Sequence, residues 1–473
     1  GPPGTGKTVT IVEAINQVLQ GCHNSKVLAC APSNSAADLI LERVAEQKII
    51  PRSQMRRLNA FGRSVSSVNK KMLDLCFRDE EGFFCLPPKE KIETEYRLVV
   101  TTLITAGRLE SLGISKSHFN YIFIDEAGQG MEPECLVPIA GLLDSDGQLV
   151  LAGDPKQLGP VLRSSVAIKY GLGMSFLERL MGQNFACYNR QPLTNQYDPK
   201  LVTKLLNNYR SHPAIIKLPN ELFYDNELRP YADEVLRNCL CNWSGLKKEG
   251  FPVIFEAVCG KDQREEKSPS FFNPEEVSVV IRYVESLIDT RDIRLKPSEI
   301  GIISPYHRQV QKIRQELIHL NQKKPKSKIN DIKVGSVEEF QGQERKVIII
   351  STVRSNEEFL QLDAQHKLGF LKNPKRFNVA ITRAKALLIV IGNPDVLCYD
   401  QHWRKFIQYC LDNDSFCGSS GSSGDLFKMP EDANQSLIET LNRLSLNENT
   451  LFEDESDLTS ADYEDRPWRS DEQ

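Results

Sequence analysis

Residues 1–8 read Gly1-Pro2-Pro3-Gly4-Thr5-Gly6-Lys7-Thr8, the pattern G-x-x-x-x-G-K-[ST]. No other feature restricts the fold as strongly. The glycines let successive backbone N–H groups curl around anionic oxygens. A loop of this kind belongs between the end of a β-strand and the start of a helix, whose positive N-terminus faces the same anion. Lys7 can reach the outer phosphates of a nucleotide as a point charge, and the Thr8 hydroxyl can ligate Mg²⁺. All eight residues are therefore candidates for the phosphate site. The chain opens inside this motif and without Met, so it is expected to be a piece of a longer protein.

The rest of the chain supplies the sheet that such a loop needs. Short apolar runs rich in Val and Ile recur at Val27–Cys30, Leu98–Thr101, Tyr121–Ile124, Gln148–Ala152, Val253–Phe255, Ile300–Ser304, Val347–Thr352 and Leu387–Ile391. Stretches with helical spacing, such as Val9, Val12, Ile15 and Leu19, separate them. Runs of this length suit parallel strands covered on both faces, and their alternation with helices predicts an α/β architecture. The runs fall into two groups. We expect two tandem domains, 1–197 and 198–417, with an inserted subdomain at about 44–96, where a basic stretch lacks a clear strand–helix rhythm.

Gly418–Gly424 reads GSSGSSG, a flexible linker composition. The segment from Asp425 onward holds 14 acidic and 4 basic residues, a net of −10 against −4 for the whole chain, which leaves +6 on the preceding 424 residues. We expect a disordered acidic tail, 418–473, behind a mildly basic body, a balance that permits a nucleic-acid partner. The 12 cysteines contain no CxxC pair, so neither a zinc site nor a disulfide framework is predicted. No apolar run approaches the roughly 18 residues of a membrane span.

The phosphate loop requires a carboxylate companion. Ile122-Phe123-Ile124-Asp125-Glu126 provides one: an apolar strand ending in an acidic pair. Asp125 would hold Mg²⁺, directly or through water, and Glu126 would orient and polarise the attacking water. An acidic pair alone is usually a solvated surface feature. After a buried strand, and downstream of this loop, it predicts phosphoryl transfer from a nucleoside triphosphate.

Further segments distinguish the class: APSNSAAD (31–38), TTLITAGRL (101–109), DEAGQGMEPE (125–134), LAGDPKQLGPV (151–161), NYRSHP (208–213), SPYHRQ (304–309), VGSVEEFQGQE (334–344), STVRSN (351–356) and LGFLKNPKRFNVAITRAKALLIVIGNP (368–394). In these segments and their order the chain resembles the Armitage-type (Moloney leukaemia virus 10-like) RNA helicases of superfamily 1B, in the branch containing the nonsense-mediated-decay helicase. The resemblance implies two RecA-like P-loop NTPase domains that use ATP and Mg²⁺. It implies that Gln157 senses the γ-phosphate, that Arg210 and Arg383 stabilise the transition state, that Tyr209 stacks on adenine and that Glu344 contacts the ribose. Arginine suits such positions because its planar fork binds phosphate oxygens bidentately.

The same resemblance places single-stranded RNA against Pro32, Ser33, Asn34, Thr101 and Thr102 in the first domain and Pro305, Tyr306, Ser336, Val337 and Glu339 in the second. Ser, Thr and Asn after a strand are also ordinary helix caps. The expected activity is ATP-dependent RNA unwinding with 5′-to-3′ translocation, in mRNA turnover or small-RNA silencing. Expected partners are Argonaute-containing complexes and mRNA-decay factors. The expected setting is the cytoplasm and its ribonucleoprotein granules (P-bodies), with the protein monomeric and away from membranes. Trp468, in an acidic stretch, is a candidate partner anchor. The motor motifs do not read the 2′-OH. A DNA helicase of the same branch and an ATP-gated RNA clamp that does not unwind therefore stay open as readings of the residues.

Overall fold

The structure, a computed structural model, describes residues 1–418 apart from 163, 183–184, 192–193, 195, 266–269, 291–293 and 356–372. The acidic tail with Trp468, and residues 368–372 of the last long motif, lie outside the described residues.

The chain divides into two compact units after Tyr209. The expected boundary was 197/198. The difference has a local cause: Asn208 Nδ2 donates to the Pro3 carbonyl at 2.8 Å and the Tyr209 amide donates to the Gly4 carbonyl at 2.8 Å, which ties this stretch to the phosphate loop.

In the first unit, β1 (Val27–Ala31), β2 (Met55–Arg57), β3 (Leu98–Thr102), β4 (Tyr121–Ile124) and β5 (Gln148–Leu151) form one sheet in the order β2-β3-β1-β4-β5. Every pairing is parallel. Helices α1 (Lys7–Gly21), α2 (Asn34–Gln47), α3 (Lys89–Thr94), α4 (Leu103–Ser111) and α5 (Glu132–Leu142) accompany it. Alternate residues of β1 serve opposite cores. Val27, Ala29 and Ala31 pack with α1 and α2, whereas Leu28 and Cys30 pack with α4 and α5. This two-faced burial explains why the strands are uniformly apolar rather than alternating. On α1 the buried stripe is Ile11, Val12, Ile15 and Leu19, while Val9, expected on that stripe, is exposed.

Residues 44–96 are not a separate insertion. Residues 44–47 complete α2, and Met55–Arg57 is the edge strand of the sheet, in register with Leu98–Val100. Met72, Leu75, Cys76 and Phe84 join the core shared with α1 and α2. A three-residue strand containing Arg56 and Arg57 carries no apolar signature, which hid it from the sequence pattern.

The second unit holds a parallel sheet of six strands in the order Lys333–Gly335, Ile300–Ile303, Arg345–Ser351, Ala384–Gly392, Val253–Ala257 and Phe416–Cys417. Helices Pro274–Asp289 and His307–Lys323 cover one face through Val280, Val284, Val310 and Ile313. On the other face Phe255, Phe377, Trp403 and Phe406 meet edge to face. Among the described residues, no helix is long and apolar enough to cross a membrane.

Candidate nucleotide site

The phosphate loop adopts a conformation that its glycines make possible. Gly4 and Gly6 have φ of 68° and 83°, the left-handed region, with Gly6 directly before α1. Thr5 Oγ1 donates to the Pro2 carbonyl at 2.7 Å and fixes the turn from inside. The Lys7 ammonium lies against the loop, donating to the carbonyls of Gly1 at 2.8 Å and Pro2 at 3.3 Å. A cation is thus held at the helix N-terminus, where anion-binding N–H groups also gather.

Thr8 Oγ1 donates to Asp125 Oδ2 at 3.0 Å. The first turn of α1 and the end of β4 therefore meet, because β4 lies beside β1 in the centre of the sheet. Asp125 is buried, and its amide continues the ladder by donating to the Cys30 carbonyl at 2.9 Å. Burial, and then the neighbouring Glu126 charge, push its carboxyl up to about 6. Two hard oxygen donors side by side, one a desolvated carboxylate, fit Mg²⁺ chemistry. Among the described residues, no group of three or more His, Cys, Asp and Glu side chains has the makings of another metal site.

Glu126 has φ of 51°, a backbone state that costs a non-glycine residue roughly 1–2 kcal/mol. The turn is fastened on both sides. The Glu126 amide donates to Asp125 Oδ1 at 2.9 Å and the Ala127 amide to the Ala152 carbonyl at 2.7 Å. The next loop docks through glycines: a Cβ on Gly153 would sit 2.8 Å from the Gly128 nitrogen, and one on Gly128 would sit 3.0 Å from the Asp154 carbonyl oxygen. Asp154 then holds Gln157, whose Nε2 donates to Asp154 Oδ2 at 2.8 Å. Tyr209 is 59% exposed, so its ring is accessible beside the loop to which its amide is bonded.

The second unit brings its two candidate arginines together. Arg210 Nη1 donates to the Thr382 carbonyl at 3.2 Å, and Arg383 Nη2 donates to Thr382 Oγ1 at 3.2 Å. Ser211 Oγ to the Ala384 carbonyl (2.6 Å) and the His212 amide to the Lys385 carbonyl (2.8 Å) continue the seam. Glu344 lies between Arg210 and Lys385, accepting from Arg210 Nε at 2.5 Å and pairing with Lys385 Nζ at 2.6 Å. Burial opposes its ionisation, but the two cations outweigh burial and hold its carboxyl at about 2.

The strand-contact candidates divide by environment. Ser33 Oγ accepts from the Ala36 amide at 3.2 Å, so it caps α2. Asn34 Oδ1 accepts from Arg57 Nη2 at 2.9 Å. Thr101 is fully buried and donates to the Leu58 carbonyl at 3.1 Å, whereas Thr102, half-buried, donates to Thr105 Oγ1 at 2.8 Å. Pro32 and Pro305 are half-buried. Tyr306 meets Phe271 edge to face, Ser336 Oγ accepts from the Glu339 amide, Glu339 pairs with Arg314 and Val337 is buried. The side chains of Thr101 and Val337 thus face protein here, because each serves the core beneath its loop.

An AAA domain model matches residues 1–81 and 58–165, and a second AAA domain model matches 172–395. Over 423 residues the chain is 52% identical to mov-10-B.1 of Danio rerio, covering 88% of this chain and 41% of that one. It is 47% identical to "RNA helicase Mov10l1" of Homo sapiens over 422 residues, 88% of this chain and 33% of that one. This chain belongs to the MOV-10 and Armitage family of helicases. The more distant "Probable RNA helicase armi" of Drosophila melanogaster is 36% identical over 444 residues, again 88% of this chain and 36% of the relative. The chain thus spans well under half the length of each of these relatives.

In this family member three supporting residues escaped the sequence reading: Asp154, which holds Gln157; Asn208, which ties to the loop; and Lys385, which shares Glu344 with Arg210. Each lies inside a motif already singled out. What marked them was adjacency to a candidate, a signal too common to select one residue.

Proposed function

We propose that this chain is the motor portion of an ATP-dependent RNA helicase that translocates 5′ to 3′ on single-stranded RNA. The observation that carries the reading is the Thr8–Asp125 hydrogen bond, which unites the phosphate loop and the acidic strand end in one oxygen-donor site. Thr8 and Asp125 would hold Mg²⁺, whose chemistry there is to neutralise charge on the phosphates. Lys7 and the loop amides would orient the triphosphate. Glu126, held in its strained turn, would position and deprotonate the attacking water. Arg210 and Arg383 would stabilise charge building on the transferred phosphoryl group, and Tyr209 would stack on the base. Residues of the Pro32–Asn34, Thr102, Pro305–Tyr306 and Ser336–Glu339 segments would grip RNA phosphates without reading bases. The family relationship supports RNA over DNA, and a role in cytoplasmic mRNA turnover or small-RNA silencing follows as part of the same proposal.

The test is ATP hydrolysis by the full chain with RNA, with DNA of the same sequence and with no nucleic acid, alongside strand displacement on a 5′-tailed and on a 3′-tailed RNA duplex. RNA stimulation that Glu126→Gln abolishes, with displacement only from the 5′ tail, is the expected result. Equal stimulation by DNA would overturn the substrate assignment, and displacement from a 3′ tail would overturn the polarity. Arg383→Ala is expected to impair hydrolysis more than nucleotide binding; equal losses would remove its assigned role.

A further inference from the structure

The turn between β2 and the following 3₁₀ segments holds a feature that the nucleotide site does not use. Phe61, at the tip of the turn, is 61% exposed. Burying rather than displaying a phenyl ring is the ordinary outcome, and this one is displayed by a rigid mount. The Arg108 guanidinium carbon lies 3.4 Å from the ring centroid, so one face of the ring is covered by a cation. Arg108 Nη1 also donates to the Asn59 carbonyl at 3.4 Å, joining the helix to the base of the turn. Beside the ring, Gly62 has nothing within 4 Å of where a side chain would begin.

The mount is buried and polar. Arg63, at the far end of the turn, donates to Asn59 Oδ1 at 2.7 Å and to both oxygens of Asp38 at 3.0 and 2.6 Å. Asn59 Nδ2 reaches Cys76 Sγ at 3.3 Å. The preceding Leu58 presents its carbonyl to Thr101 Oγ1 at 3.1 Å and to Arg57 Nη1 at 2.5 Å, and Arg57 in turn holds Asn34. The turn that carries Phe61 is therefore bonded to Asn34 and Thr101, which come from two motifs of the expected RNA face. Along α4, Arg108 stands about 9 Å beyond Thr102 at 1.5 Å per residue. Ile104, 59% exposed, lies one turn earlier on the same face of that helix.

We propose that Phe61, backed by Arg108, is a stacking platform for one base of the bound single-stranded RNA. The ring offers its open face to the base, and the guanidinium on the opposite face supplies positive charge beside the phosphates and fixes the ring's orientation. Stacking of this kind tolerates any base, because every base has a π-face. The occupant is RNA rather than a protein because the platform is cationic and continuous with the Thr102 end of α4. The inference rests on the reading of this unit as an RNA grip and adds a contact to bases where that reading has contacts to phosphates alone.

The experiment is equilibrium binding of a labelled oligouridylate to the full chain, by fluorescence anisotropy, for the wild type and for Phe61→Ala, Phe61→Leu and Phe61→Trp. Alanine and leucine are expected to weaken binding roughly five- to hundredfold, the range for losing one stacked base, and tryptophan to preserve it. Wild-type binding with no change in Phe61→Ala would overturn the platform and leave the parent reading standing. Leucine equal to the wild type would show an apolar contact rather than a stack, and would overturn it also. Failure of the wild type itself to bind RNA would overturn both.

Discussion

The hydroxyl of Thr8 donates to Asp125 Oδ2 at 3.0 Å, joining residues 117 positions apart. Nothing local brings them together; the central placement of β1 and β4 does. Thr8→Val keeps the size of the side chain but removes the oxygen, whereas Thr8→Ser keeps the oxygen. We expect Thr8→Val and Asp125→Asn to lower Mg²⁺-dependent ATP hydrolysis about a hundredfold or more, the scale for losing a group that stabilises charge at a reacting centre. Thr8→Ser should retain most of it. Turnover against Mg²⁺ concentration checks this, and a Thr8→Val enzyme with normal Mg²⁺ dependence would separate the hydroxyl from the metal site.

Glu126 combines a catalytic assignment with a left-handed backbone, φ 51°. Glycine relieves roughly 1–2 kcal/mol of strain there but loses roughly 0.5–1 kcal/mol through the freedom of its unfolded chain. Glu126→Gly is therefore expected to unfold at the same temperature as the wild type or slightly above it, while hydrolysis is lost. Thermal unfolding and ATPase assays on one preparation test both halves. A clear fall in unfolding temperature would mean that the turn is held by the Glu126 side chain and not by the bonds from its neighbours.

The central strands, the phosphate loop and the acidic pair were legible in the sequence for one physical reason. Strands buried on both faces are continuous apolar runs, and Tyr121–Ile124 is the clearest of them. The shortest edge strands follow another rule. Met55–Arg57, Lys333–Gly335 and Phe416–Cys417 lie at sheet edges and are three residues or fewer, too short to show a pattern. At the candidate site the proposed reacting groups stand in motifs that the sequence displays, whereas their supports do not announce themselves. Asp154 and Lys385 act through partners far along the chain or through a side-chain geometry that no spacing encodes.

Gly153 and Gly128 let the loop after β5 lie against the turn after β4. A Cβ on Gly153 would come within 2.7 Å of Leu177 Cδ2 and 2.8 Å of the Gly128 nitrogen. The second contact is with backbone and has no rotamer to yield. Gly153→Ala should destabilise the first unit by about 1–3 kcal/mol, the usual range for overpacking. It should also lower hydrolysis, because the Ala127–Ala152 bond that steadies Glu126 is strained. Chemical denaturation together with kcat is the measurement. A neutral effect on both would show that the two loops slide apart without consequence.

Glu276 shows how burial in the second unit creates a pH dependence. It is fully buried at the first turn of Pro274–Asp289, where Ser351 Oγ donates to it at 2.6 Å and the Val353 amide donates to its two oxygens at 2.9 and 3.0 Å. Asn273 Nδ2 holds the Val353 carbonyl at 3.1 Å. Between these side chains Val353 is kept at φ 74°, a strained state for a β-branched residue. Burial is the largest influence on the Glu276 carboxyl and, despite these donors, pushes it from 4.5 up to about 8. The folded state thus keeps a proton that the unfolded chain releases. The associated stability is fully present below pH 4.5 and is lost as pH rises through about 8, with a slope approaching about 1.4 kcal/mol per pH unit in between. Glu276→Gln is neutral at every pH and lacks this slope, at the cost of about 1 kcal/mol for an imperfect hydrogen bond. Denaturation of both proteins across that range should show the wild type ahead in acid and its advantage shrinking, then reversing, as pH rises. A difference that stays constant with pH would mean that Glu276 is ionised throughout and is stabilised by its donors alone.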